Sequence, residues 1–159
     1  MWAKILRPDA ILVWKDPEVV KRLRWYRSVM LDETPAKFLI VRSIKAPSNI
    51  RELSEEELWR IHEELHEEAE ELFRENFGSG VDYDKLKPTT PSYLDLKIEL
   101  ARRILRSCRF CEWRCGVDRT RGQKGVCRLP DKAYVASFFH HHGEEAPLIG
   151  TEGQGGSGT

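Results

Sequence analysis

Hydrophobic positions along this chain recur mostly at helical intervals. Between Ser54 and Phe77, Leu58, Ile61, Leu65, Ala69 and Leu72 make one apolar stripe on an otherwise glutamate-rich segment. Such spacing predicts an amphipathic helix with a solvated acidic face. Ser54 and Glu57 are spaced as a capping box, Leu53 and Leu58 as a hydrophobic staple, and Gly78 supplies a stop. A second helix is expected from Ser92, with Asp95 at its third position. There Leu94, Ile98, Ala101 and Leu105 form one stripe, and Leu96, Leu100 and Ile104 widen it, so burial on two sides is expected.

Earlier in the chain, Asp16-Pro17-Glu18 is a helix start signal. Val19, Leu23, Tyr26 and Met30 then predict a helix over 17–31. Thr34-Pro35 repeats the signal ahead of Phe38-Leu39-Ile40-Val41, read as a short helix. Two strands are expected, over 10–14 and 133–139. Residues 79–91 read as a linker. The fold class expected is mainly α with little β structure: a helical N-terminal region over 1–91, then a four-cysteine region over 92–159 with a glycine-rich tail.

The second half of the chain changes the picture. Its four cysteines, Cys108, Cys111, Cys115 and Cys127, are spaced C-x2-C-x3-C-x11-C, with Gly116, Gly122 and Gly125 between the last two. Thiolates are soft ligands suited to zinc and iron–sulfur clusters. The spacing predicts a metal knuckle formed by all four. Three thiols in one tight loop favour an iron–sulfur cluster, of the 4Fe–4S type, over zinc. Two disulfides, a set of buried thiols and a purely structural metal staple are the competing readings. Disulfides fit poorly with a chain whose start carries no apolar export segment.

Composition adds bounds. The 26 basic and 26 acidic residues cancel, so net charge calls for neither nucleic acid nor a membrane surface. No apolar run reaches membrane-spanning length, and a cytoplasmic setting is expected. The abundance of charged side chains resembles a thermophile's. Basic residues cluster around the cysteines, either as a solvated surface, as an offset to thiolate charge, or as contacts for an acidic partner. A nucleic-acid knuckle is the lesser reading, because Phe110 and Trp113 are the aromatics interleaved there.

Three further patterns carry less. His62-Glu-Glu-Leu-His66 matches the H-E-x-x-H of zinc hydrolases. No third ligand follows nearby, and the expectation is that both histidines are structural. His140, His141 and His142 read as solvent-facing. Gly153, Gly155 and Gly158 spell G-x-G-x-x-G with no helix after it, so a dinucleotide site is rejected. Half of the residues from Gly150 to Thr159 are glycine, and residues 143–159 are expected to lack a stable fold.

Residues 92–159 also carry a resemblance. Cys108-Arg-Phe-Cys111-Glu-Trp-Arg-Cys115-Gly-Val-Asp-Arg119 followed by Gly122-Gln-Lys-Gly125-Val-Cys127 resembles a segment of radical SAM proteins related to the pyruvate formate-lyase activating enzyme. Ser137, His140 to His142, Gly143-Glu144-Glu145, Pro147, Gly150-Thr151 and Gly156 to Thr159 are similar to the same family in the same order. The helix from Ser92 resembles its archaeal members. In that family a barrel follows, whose C-x3-C-x2-C loop binds the catalytic cluster and S-adenosylmethionine. The chain reaches Thr159 before such a loop. The resemblance therefore implies a non-catalytic accessory piece, with S-adenosylmethionine bound only in a full-length protein. Its implied partner is a radical SAM barrel, in cis or as a separate chain. The alternative expectation is a zinc-stapled module that binds protein or nucleic acid.

Overall fold

The structure, a computed structural model, describes residues 12–137. The chain parts into two compact units, and residues 12–34 and Pro35–Tyr134 belong to different ones.

In the first unit, a 3-10 turn over Val13–Lys15 precedes α1 (Pro17–Arg22) and α2 (Arg24–Met30). Asp16 caps α1 by accepting the Glu18 amide at 2.8 Å, as the start signal predicts. The helix expected over 17–31 is interrupted at Leu23, whose backbone (φ −102°, ψ 22°) leaves the helical region for one residue. Trp14 stacks on Tyr26 with ring centroids 6.0 Å apart. The described part of the strand expected over 10–14 is therefore helical turn, held by this aromatic contact and not by a sheet partner.

The second unit is built on α3 (Lys37–Ser43), α4 (Glu55–Asn76) and α5 (Tyr93–Arg106), which pack against one another. Thr34 does not cap α3. Its hydroxyl lies 2.6 Å from that of Ser28, both buried, and the helix starts from Ala36 instead. Ile40, Leu58, Leu96 and Tyr93 are fully buried and form the centre of the core with Ile44, Phe73 and Leu100. Both long helices open with complete capping boxes. Ser54 and Glu57 satisfy each other's backbone amides in α4, as do Ser92 and Asp95 in α5.

Antiparallel pairing between residues 42–46 and 89–93 ties α3 to the start of α5. Thr89 N–H donates to Arg42 O, Tyr93 N–H to Ile44 O and Ala46 N–H to Pro91 O, each at 2.9–3.0 Å. The isolated bridge Lys45–Ser92 lies here, and the described residues contain no longer strand. The segment 79–91 is thus more than a linker, because its last residues complete the core edge.

Burial on α5 differs from the expected two-sided pattern. The buried face is Tyr93, Leu96, Glu99 and Leu100, while Ile98 is exposed. Glu99 is tolerated there because Arg103 Nε donates to its Oε1 at 3.0 Å, and Arg103 Nη2 also reaches Arg51 O.

No strand forms over the described part of 133–139, where Tyr134 and Val135 lie exposed. Residues 138 and 139, the three C-terminal-side histidines and the segment expected to lack a fold lie outside the described residues. Among the described residues, no helix is long and apolar enough to cross a membrane.

Candidate functional site

Helix α5 delivers the chain into Cys108, and the loop that follows is organised by hydrogen bonds, with little apolar burial. Cys108 N–H donates to Val117 O and Gly116 N–H donates to Cys108 O, both at 3.0 Å. This double clasp draws Cys115 back towards Cys108. Gly116 takes φ +65°, a conformation that costs a side-chain-bearing residue more than glycine. Asp118 then caps the 3-10 turn Arg119–Arg121. Its Oδ1 accepts from Thr120 N–H at 3.0 Å and from Thr120 Oγ1 at 2.6 Å. Gln123 Oε1 accepts from Asp118 N–H at 2.7 Å, and Gln123 N–H returns a bond to Asp118 O.

The product of this turn is a buried arginine. Arg119 is 5% exposed and its guanidinium faces the thiols. Nε lies 2.9 Å from Cys108 Sγ and Nη2 lies 3.6 Å from Cys115 Sγ. Nη1 donates to Leu129 O. Arginine suits this position because its planar fork serves several acceptors at once. The Arg119 bond holds the Cys108 thiol below the usual thiol range, against the opposing effect of burial. Cys127 is likewise held low, first by the Leu129 backbone amide and then by Arg119. The thiols in turn raise Arg119 further, so it stays charged.

Gly125 closes the cluster. A Cβ at this position would stand 2.3 Å from Cys115 Sγ and 2.8 Å from Arg119 Nη2. Glycine is required there by contact, not by backbone angle. The loop is fastened to the helices by Arg109, whose Nη2 pairs with Glu55 in the first turn of α4.

This geometry corrects the metal reading. Among the described residues, no group of three or more His, Cys, Asp or Glu side chains could hold a metal ion. The expected four-cysteine knuckle, its iron–sulfur cluster or zinc, and the accessory function built on that metal all fall with this finding. The zinc-stapled module falls for the same reason. The physical cause is the guanidinium: a cation sits where the thiols converge and takes their hydrogen bonds. Cys111 and Cys127 are exposed, Cys115 is half-buried and Cys108 is buried, and all four are free thiols.

The H-E-x-x-H histidines lie on α4. His62 Nε2 sits 3.1 Å from Tyr93 Oη and 2.9 Å from Lys97 Nζ, both on α5. Its ring packs edge-on to Trp59 and Tyr93 and lies beside His66 at 6.2 Å between centroids. Burial first, then Lys97, lowers the His62 pKa, and burial also lowers Lys97. Tyr93 is pushed up to about 12 by burial and by Glu63. His62 Nε2 is thus engaged with α5, and His62 serves helix packing, while His66 is exposed.

A cleft of about 490 Å³ opens beside the C-terminal half of α4. Its two serine hydroxyls are committed to the chain's own carbonyls, Ser43 to Ile40 O and Ser79 to Asn76 O. Neither is paired with a base that would make it a nucleophile.

Sequence reasoning named Arg119 and Gly125 but not their roles in closing the cluster. Arg119 was one of nine basic residues around the cysteines, and nothing in its neighbours marks it as the buried one. The Asp118-x-Thr120 cap followed by Gly122 was the available signal for the turn that aims it.

No family model matches the chain, so the radical SAM, iron–sulfur and zinc assignments find no support from that side. No solved structure matches it. A 128-residue stretch is 36% identical to "Uncharacterized protein MJ0674" of Methanocaldococcus jannaschii, covering 80% of this chain. The chain spans about a third of the length of the curated relative it matches, 35% of it.

Proposed function

We propose that the Pro35–Tyr134 unit is a docking module, and that its cysteine loop is the surface that seats a larger folded body, in cis or as a separate chain. The observation that carries this reading is the apolar exposure of the loop. Phe110, Trp113, Val126, Leu129 and Tyr134 are all exposed, with Trp113 at 70%. Large apolar and aromatic side chains gathered on one loop are typical of surfaces that meet a partner. The hydrogen-bonded frame around Arg119 supports the reading by fixing the loop without burying these side chains.

The length difference from the relative supports a body in cis. The resemblance over 92–159 bears on its class, and a radical SAM-type barrel is the partner proposed on that ground alone. A cytoplasmic setting is part of the proposal, since free thiols suit a reducing compartment.

Hydroxyl-radical footprinting tests the docking. The 159-residue chain alone is compared with the protein as its host produces it. Protection of Phe110, Trp113 and Leu129 in the host's form is expected. Equal labelling in both would contradict the reading.

A further inference from the structure

The thiol cluster can also do chemistry that does not depend on docking. Cys115 and Cys108 are brought together by the 108–117 clasp and share the guanidinium of Arg119. They differ in access. Cys115 is half-buried, while Cys108 is 3% exposed. A reagent from solvent meets Cys115 first, and Cys108 waits behind it. Gly125 leaves Cys115 Sγ room on its remaining side, because any Cβ there would occupy that space.

We propose that Cys115 and Cys108 are a peroxide-reactive thiol pair whose oxidation to a disulfide detaches Cys108 from Arg119. The oxidant is hydrogen peroxide. Cys115 thiolate attacks one oxygen, the O–O bond breaks, and Cys115 sulfenic acid and hydroxide form. Cys108 thiolate then attacks the Cys115 sulfur, the S–O bond breaks, and hydroxide leaves as the disulfide forms. The thiol pair loses two electrons and the peroxide gains them. The guanidinium bonds to the Cys108 sulfur before attack, and it has no thiolate there to hold afterwards. Arg119 also reaches Leu129 O, so the change is transmitted to the exposed end of the loop.

The test uses the 159-residue chain, reduced and handled without air, then titrated with hydrogen peroxide, quenched by alkylation and mapped by peptide mass spectrometry. Loss of alkylation at Cys108 and Cys115 together, ahead of Cys111, with a Cys108–Cys115 linked peptide restored to thiols by dithiothreitol, is expected. Cys111→Ser should leave that linked peptide unchanged, and Cys115→Ser should abolish it while leaving Cys108 alkylatable. Since Cys111 lies at the exposed surface, Cys111→Ser keeps the test readable even if Cys115→Ser fails to fold. A dominant disulfide through Cys111 or Cys127, or thiols that stay unchanged while free cysteine in the same tube is consumed, would overturn the proposal.

Discussion

Two regions of one compact unit, the α4–α5 pair and the cysteine loop, are held together by different physics. The helices are joined by apolar burial, with Leu58 and Leu96 wholly removed from water. The loop is joined by a buried cation, its thiol acceptors and a set of reciprocal backbone bonds around Asp118. Burial is non-directional and tolerates modest repacking. A hydrogen-bonded cluster is directional, and losing one member leaves buried polar atoms without partners. The helical part should therefore degrade by degrees, and the loop should fail as a unit.

The largest effect is expected in the helical core. Leu58→Ala and Leu96→Ala should each cost about 2–5 kcal/mol, read from chemical denaturation. A cost near zero at both would mean that the α4–α5 contact is not the core of the unit.

Next comes the loop. Gly125→Ala places a methyl group 2.3 Å from Cys115 Sγ, so the cluster must open. The helical circular dichroism should survive while the four thiols become uniformly reactive to a maleimide. Unchanged thiol reactivity would show that the loop does not close on Arg119. This variant separates the two regions most sharply, because it breaks one and spares the other.

Mild acid should act on the helix pair through His62. His62 has its pKa lowered from an ordinary 6.5 by burial and by Lys97. The folded state therefore binds its proton less readily than the unfolded chain. The stability it contributes is complete above 6.5 and is lost as pH falls through the lower folded value. Glu63 and His66 on α4, with Tyr93 and Lys97 on α5, are the charged or titratable groups facing it. The melting temperature should fall over this acid range, and His62→Gln should flatten the dependence. Tyr93 works in the other direction: its contribution is lost as pH rises from 10 towards about 12.

Helix capping should give the smallest change. Ser54→Ala and Ser92→Ala should each cost about 1 kcal/mol. A cost of several kcal/mol for Ser92 alone would mean that the bridge to Lys45 matters more than the cap.

The same contrast explains what was legible in the sequence. Helix α4 was readable to within a residue at each end, because Ser54, Glu57 and the apolar stripe are local signals that agree. The start of α5 was equally plain, yet its buried face was misjudged. Ile98 fits the apolar period but lies exposed among the described residues, and Glu99 is buried through a partner four residues on. The cysteine spacing was conspicuous and pointed to a metal. What it could not convey is that a residue outside the motif, Arg119, fills the space between the thiols. Buried arginines leave no periodic trace, and the turn that aims this one is set by side-chain bonds.

The central claim is that a guanidinium, and not a metal, closes the cysteine loop. The most direct test is metal analysis of anaerobically purified protein, combined with a count of free thiols in the same sample. The account predicts no stoichiometric zinc or iron and four alkylatable cysteines per chain. One zinc ion or one iron–sulfur cluster per chain, with the thiols blocked until it is removed, would contradict it.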